Sequence, residues 1–411
     1  MNRAYEKLCN YTQQCPVTFG VGSIATVKDA MGMLGAKKLF VVYDQGVKMS
    51  GLAEKVTKSL DEQGVDYITY DDITAEPVED VVDKAYEVAK EAGCDGVLGL
   101  GGGSPMDTAK IISVLLKKGG KTSDYFLSKL GPIFHDHVPS LMVPTSSGTG
   151  SEVTCVAVVS DINHAKDGVL AGPSMAIVDP EMTLTCPPLN TVTSALDAFA
   201  HAAEAFTAAD VDPVSDQLAL EAIRLIMANL DKVYHNGADS EARTRMSMAA
   251  NMAGIAFSNT GVSFGHAAGH EFGTKFHIGH GLACCYSVPV TLKWNAINNT
   301  DRARKIAEAM GIEGFDTLAP EELGKVMADI IVKMMKDYKV PTMAEKGATR
   351  QACIDLAEDS IAHNQMQYAD VVRPIPIEEY REMLAEMYDL SVQQSPLQRS
   401  HFNQANVKET E

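Results

Sequence analysis

Several things are missing from this chain. No apolar run of about eighteen residues occurs, so a membrane-spanning helix is not expected. The opening stretch "MNRAYEKLCNYTQQ" carries no apolar segment of the kind that marks a secretory signal, so none is expected either. The eight cysteines are scattered, and no C-x-x-C pair is found. Only Cys284 and Cys285 adjoin, which suits neither a zinc knuckle nor a disulfide framework. That usage points to a reduced, cytoplasmic setting. Basic residues are scarce: 35 Lys and Arg stand against 54 Asp and Glu, a formal net charge of −19. No Lys/Arg cluster offers a face to a polyanion, which excludes nucleic acid as a partner. The acidity reads as solubility, and it leaves any anionic cofactor dependent on backbone N–H groups and local lysines. There is no internal repeat.

What is present is a soluble globular composition, 411 residues with 45% hydrophobic and 22% charged, enough for two or three domains. The first half alternates strand-like and helix-like stretches. "KKLFVVYD", "VDYITYDD", "DGVLGLG" and "PSLMVPT" read as strands, separated by helical patterns that close on Gly64, Gly93 and Gly120. Strict rotation of this kind predicts a doubly wound parallel sheet covered on both faces. "TCVAVVSD" and "SMAIVDP" read as two further strands, forming a hairpin-like addition. After Pro187–Pro188 the chain turns to long Ala- and Met-rich helical stretches with no convincing strand. The expected class is therefore α/β plus all-α: an N-terminal doubly wound parallel-sheet dinucleotide-binding domain over residues 1–188, followed by a C-terminal helical domain over 189–411. The last stretch, "SVQQSPLQRSHFNQANVKETE", is polar and reads as a loose tail.

Gly101, Gly102, Gly103 and Ser104 lie between a buried strand and a helix. Residues without side chains let backbone N–H groups approach a ligand at a helix N-terminus, and pyrophosphate is the expected guest. Pro105 suits the first helical turn, and Asp107 is read as sharing that turn, where a carboxylate suits the helix dipole. The order is not that of an ordinary Rossmann fingerprint, because the acid at a strand end, Asp44, lies upstream of the glycines. Such an acid can accept hydrogen bonds from ribose hydroxyls and repel a 2′-phosphate. A second loop, "VPTSSGTGSEVT", also follows a buried strand and would line the same crevice.

In the helical half, "SALDAFAHAAEAF" sets Asp197 and His201 four residues apart, hence on one helix face. "SFGHAAGHEFGTKFHIGHG" supplies His266, His270, His277 and His280, so five of the eleven histidines fall in two segments. A carboxylate with several imidazoles is the natural donor set of a borderline divalent metal such as zinc or ferrous iron. Spacing alone leaves the choice of ligands open.

"GGGSPMDTAK", "VPTSSGTGSEVT", "AIVDP", "DAFAHAAEAF" and "GHAAGHEFGTKFHIGHG" together resemble, in order, the signatures of the iron-containing (group III) alcohol dehydrogenase family. The likeness runs over roughly residues 16 to 388. It implies an N-terminal α/β domain, a helical second domain, and NAD(P) with one divalent metal in the cleft between them. It makes Asp197, His201, His266 and His280 the metal ligands and His270 a residue of proton transfer. Gly101, Gly102, Gly103, Ser104 and Asp107 match the pyrophosphate loop. Thr145, Ser146, Thr149, Thr154 and Lys166 match positions lining the rest of the cofactor. Asp44 matches the place where an acid goes with NAD rather than NADP. The implied activity is reversible hydride transfer between a small alcohol and NAD, giving an aldehyde or ketone, with Fe2+ or Zn2+ as the metal. A homodimer or larger homo-oligomer is implied as well. Two departures stand out: "TSSGTGSE" where paired threonines are common, and "VVRPIP" where the family has Asn-Pro-Arg. Two rival readings remain, a dehydroquinate synthase-like lyase and a non-enzymatic nucleotide-binding metal sensor.

Overall fold

The computed structural model describes residues 9–73, 77–163 and 165–393. The tail beyond Gln393, expected to be loose, lies outside the described residues. The chain divides into two compact units. A sheet unit comprises Gln13–Cys186 together with Gly237–Ser247. A helical unit comprises the residues up to Thr12, Pro187–Asn236, and the chain from Met248 onward.

The sheet unit is built on six parallel strands: β1 (Val17–Phe19), β2 (Lys38–Val42), β3 (Asp66–Tyr70), β4 (Gly96–Gly101), β5 (Ser140–Pro144) and β8 (Met175–Val178). Their spatial order is β1-β8-β5-β4-β2-β3. Side chains alternate across the sheet. Phe40, Val42, Val97 and Met142 pack into one apolar cluster, with Val82, Ile111 and Leu115 from helices. Leu39, Val41, Leu98, Leu100, Leu141 and Val143 pack into a second, with Val56 and Leu60. Burial on both faces is why these strands read as continuous apolar runs rather than alternating ones.

Two strand assignments differ from expectation. β6 (Val156–Ser160) does pair in a hairpin, but with β7 (Lys166–Leu170), antiparallel from Val156↔Leu170 to Ser160↔Lys166. The segment expected as its partner, β8, instead joins the parallel sheet between β1 and β5. "KDGVL" hides its strand because Lys, Asp and Gly are poor strand formers, and pairing alone holds them extended. β1 is three residues long and shows no period.

The helical unit contains, among its described residues, helices at Pro188–Thr207, Pro213–His235, Phe264–Phe276, His280–Asn298, Pro320–Asp337 and Ile377–Val392. No strand occurs among the described residues after Val178. Pro188 occupies the first helical position, where its missing N–H breaks no bond. No described helix is long and apolar enough to cross a membrane.

Candidate metal centre and nucleotide loop

In the sheet unit the strand order reverses between β2 and β4, and the connections from these strands leave to opposite sides. Open parallel sheets bind ligands at such a point, beyond the carboxyl ends of the strands. Asp44 follows β2 and Gly101–Ser104 end β4 there, so the two flank one crevice. Gly101 has φ +152, and a Cβ on it would stand 2.5 Å from Pro105 Cγ. Only glycine makes that turn. Gly101 pairs with Pro144 across the β4–β5 ladder, so both loops depart side by side. Thr145 N–H donates to Gly101 O at 2.9 Å. Ser146 and Thr149 lie against Gly102 and Gly103: Cβ atoms there would sit 3.6 Å from Ser146 Oγ and 3.3 Å from Thr149 Cγ2.

Asp107 is a correction. The helix begins at Gly103, and no acid lies in its first turn. Asp107 falls in the second turn, and its carboxylate accepts from Ser151 Oγ (2.6 Å), Lys110 Nζ (3.2 Å) and Val158 N–H (3.0 Å). Lys110, fully buried, also donates to Ser151 Oγ, Thr154 Oγ1 and Val156 O. These two residues tie the glycine-loop helix to β6 and to the end of the second loop. Sequence reasoning passed over Lys110 because a lysine on a helix is ordinarily a solvated residue. Asp44 caps the short helix Gln45–Met49 by accepting from Val47 N–H at 2.8 Å. Lys166 opens β7 opposite Ser160.

In the helical unit, Asp197 and His201 project one turn apart from Pro188–Thr207. His266 lies in the first turn of Phe264–Phe276, and His280 is the first residue of His280–Asn298. One ligand atom from each of these four residues falls within 4.8 Å of the others. Asp197 Oδ1 lies 3.8 Å from His266 Nε2 and 3.6 Å from His280 Nε2. The His201 and His266 rings stack with centroids 4.4 Å apart. His277 is left out: it ends its helix in a left-handed conformation and is exposed. His270 stands beside the quartet, its ring 5.4 Å from that of His280.

Two atoms test whether a cation fits. Asp197 Oδ1 and His266 Nε2 are both buried and make no hydrogen bond. Leaving a buried carboxylate oxygen and an imidazole nitrogen unpaired costs several kcal/mol in total, on the order of 1–3 for each. A divalent ion satisfies both at once. The electrostatics agree. Burial pushes the Asp197 carboxyl up to about 6, partly offset by His266. Burial alone would lower His266, yet its anionic neighbours hold it well above its ordinary value. Of those neighbours, the Cys284 thiol is itself pushed up to about 11 by burial. Glu204 therefore supplies the charge at neutral pH. The site attracts positive charge and lacks a partner for it.

Glu204 was not singled out in the sequence. It lies three residues beyond His201 on the same helix face, which was the available signal. Its Oε1 lies 3.0 Å from His266 Nδ1, and its Oε2 accepts from Ser263 N–H at 2.5 Å and Ser263 Oγ at 3.0 Å. One carboxylate thus caps the helix that carries His266 and holds that ring with Nε2 toward Asp197. A Cβ at Gly265 would stand 2.4 Å from Glu204 Oε1, so only glycine permits the approach.

A sheet unit with a glycine-lined switch-point crevice and a helical unit with a quartet of one carboxylate and three imidazoles define a metal- and nucleotide-using oxidoreductase class. Residues 16–180 match the model of the iron-containing alcohol dehydrogenases, and residues 191–388 match that family's C-terminal domain. The chain belongs to the iron-containing alcohol dehydrogenase family. It is 33% identical over 348 residues to the NAD-dependent methanol dehydrogenase of Bacillus methanolicus, covering 83% of this chain and 90% of that protein. A solved 1,3-propanediol oxidoreductase superposes with a TM-score of 0.86 at 27% identity, covering 94% of this chain and all of that one. The sulfoacetaldehyde reductase of Bifidobacterium kashiwanohense, solved with NAD+, superposes with a TM-score of 0.82 at 26% identity, covering 95% and 100%.

Proposed function

We propose that this protein transfers a hydride between a small alcohol and NAD, reversibly, with one divalent cation held by Asp197, His201, His266 and His280. The observation that carries this reading is the pair of orphaned buried atoms, Asp197 Oδ1 and His266 Nε2, in a chain of the alcohol dehydrogenase family. When bound, Fe2+ or Zn2+ supplies Lewis acidity toward the alcohol oxygen, and nicotinamide supplies the hydride acceptor. Zinc binds such donors more tightly than ferrous iron, so availability decides between them.

The chain's own residues do the rest. Three imidazoles and one carboxylate hold the cation with net positive charge, which preserves its acidity. Glu204 fixes the ring of His266 and Ser263 anchors the turn before it. His270 accepts the hydroxyl proton and passes it on. Gly101–Ser104 offer backbone N–H groups to the pyrophosphate, with Thr145, Ser146, Thr149, Thr154 and Lys166 lining the remainder of the nucleotide. Asp44 receives the ribose and disfavours the 2′-phosphate of NADP. The substrates for which these relatives are named (methanol, 1,3-propanediol and sulfoacetaldehyde) differ in length and charge, which supports a small alcohol or aldehyde as the class. Eight free thiols accord with a cytoplasmic setting, and a homodimer or larger assembly accords with the family.

A lyase would need a basic phosphate-binding set near the metal, and Lys275, the main candidate, is exposed at its helix end. A metal sensor would bind but not turn over. The test is metal analysis and turnover on chelator-stripped protein restored with Fe2+ or Zn2+, read as NADH formation with a panel of short alcohols and diols and as NADH consumption with aldehydes. One tight ion per chain and metal-dependent turnover are expected. Turnover indifferent to chelation, or tight binding that survives Asp197→Ala with His201→Ala, would overturn the reading.

A further inference from the structure

Beside the quartet, the half-buried ring of His270 belongs to a row of hydrogen bonds that the metal does not need. His270 Nδ1 lies 2.8 Å from Asn364 Oδ1. Asn364 is buried, and its Nδ2 lies 3.0 Å from Glu271 Oε1 and 3.2 Å from Ser360 O. A carbonyl oxygen and a carboxylate oxygen can only accept. Both therefore require the amide's NH2 end, and the oxygen end must face His270. An amide oxygen accepts but never donates, so the Nδ1 it faces must carry the proton. The lone pair of the neutral ring is then on Nε2.

We infer that Asn364 is a positioning residue that sets the tautomer of His270, holding Nδ1 protonated and leaving Nε2 as the acceptor of the substrate's hydroxyl proton. The inference rests on the proton-transfer reading of His270 given above. Its basis is a pairwise accounting of donors and acceptors: Ser360 O and Glu271 fix the amide, and the amide fixes the imidazole. The row continues outward, since Glu271 Oε1 also lies 3.2 Å from Nδ1 of the exposed His363. It is not a proton wire. The amide of Asn364 interrupts it, because a carboxamide does not take up and release protons at neutral pH.

The test uses zinc-loaded protein labelled with 15N at histidine, in which the His270 signals are recognised by their loss in His270→Gln. A protonated Nδ1 and a bare Nε2 are expected. A proton on Nε2, or two averaged tautomers, overturns the proposal. In Asn364→Leu the tautomers should average and kcat should fall by roughly tenfold, a fraction of the usual worth of a general base, with the alcohol KM within about twofold. If Asn364→Leu changes neither tautomer nor rate, the proposal fails. His363→Ala should leave kcat unchanged, and a loss matching that of Asn364→Leu would mean a proton path and overturn it as well. Should His270→Gln turn over at the wild-type rate, the proton-transfer reading falls, while the 15N signals still decide the tautomer.

Discussion

The sheet unit and the helical unit prepare for their ligands in opposite ways. In the sheet unit the ligand-facing surface is backbone, and the charged side chains behind it, Asp107 and Lys110, are already paired. The helical unit presents side chains, and Asp197 Oδ1 and His266 Nε2 of its quartet are buried without a hydrogen bond. The first arrangement is stable whether or not a nucleotide is bound, because amide groups at a helix end can be met by water. The second is offset only when a cation arrives. Loops made of glycine give access at little electrostatic cost, whereas a quartet of acid and imidazoles stores a demand for charge.

The comparison can be broken most severely at Gly101. Replacing it by Val forces a side chain into the Gly101 turn at φ +152, at a cost of about 3 kcal/mol. NAD affinity measured by titration calorimetry should fall on the order of a hundredfold, with metal content unchanged. Loss of metal along with NAD would show that the units do not prepare their sites separately.

A pH series on metal-free protein separates the units next. Unfolded, Asp197 gives up its proton near pH 4, whereas folded it holds the proton to about 6. Between these values the folded chain binds more protons, so stability falls as pH rises from 4 to 6, and the His266 ring, held above its ordinary value, carries the fall on to higher pH. The Asp197 share of that fall should be about 2–3 kcal/mol. Asp370, also pushed up to about 6 by burial, slopes the same way. Saturating Zn2+ should remove the Asp197 part, and Asp370→Asn should remove the remainder. A metal-free chain that gains stability over this range would contradict the stored-charge account.

Glu204→Gln probes the same demand one bond further out. Gln keeps the size but loses the charge beside His266, and metal affinity by competition with a chelator should fall about thirtyfold. An unchanged affinity would mean that the His266 ring is held by packing alone. The smallest effect is expected at Asp44, whose proposed contact with the ribose leaves the Gly101 turn unchanged. Asp44→Gly should narrow the preference for NAD over NADP by several-fold, with a loss of about 0.3 kcal/mol in stability from the missing helix cap, since glycine is itself tolerated there. An unaltered ratio of kcat/KM values would remove Asp44 from cofactor choice.

Legibility followed the same divide. Apolar runs set between glycine-closed helices made β2, β4 and β5 readable, because a strand buried on both faces has one composition, while the edge strand β3 read through its Tyr, Ile and Thr. β1 escaped because it is three residues long, and β7 because its Lys, Asp and Gly are held extended by pairing with β6 rather than by their own preference. Asp197 and His201 were legible as a pair because helical spacing is local. Five histidines could not be ranked by spacing, because His266 and His280 reach Asp197 only after two helices fold back on Pro188–Thr207. His277 was removed from the set by a single left-handed residue at a helix end.

By itself, then, the order of residues determined the alternation of strands and helices, the glycine turn after β4, and the pool of imidazoles and carboxylates from which a metal site could be made. These depend on interactions within a few residues of chain. Tertiary structure decided which imidazoles converge, that Asp107 braces the glycine-loop helix from its second turn, that Glu204 stands behind His266, and that Asn364 faces His270 with its oxygen. Such choices rest on donors and acceptors brought together from up to about ninety residues apart, and only the packed chain can match them.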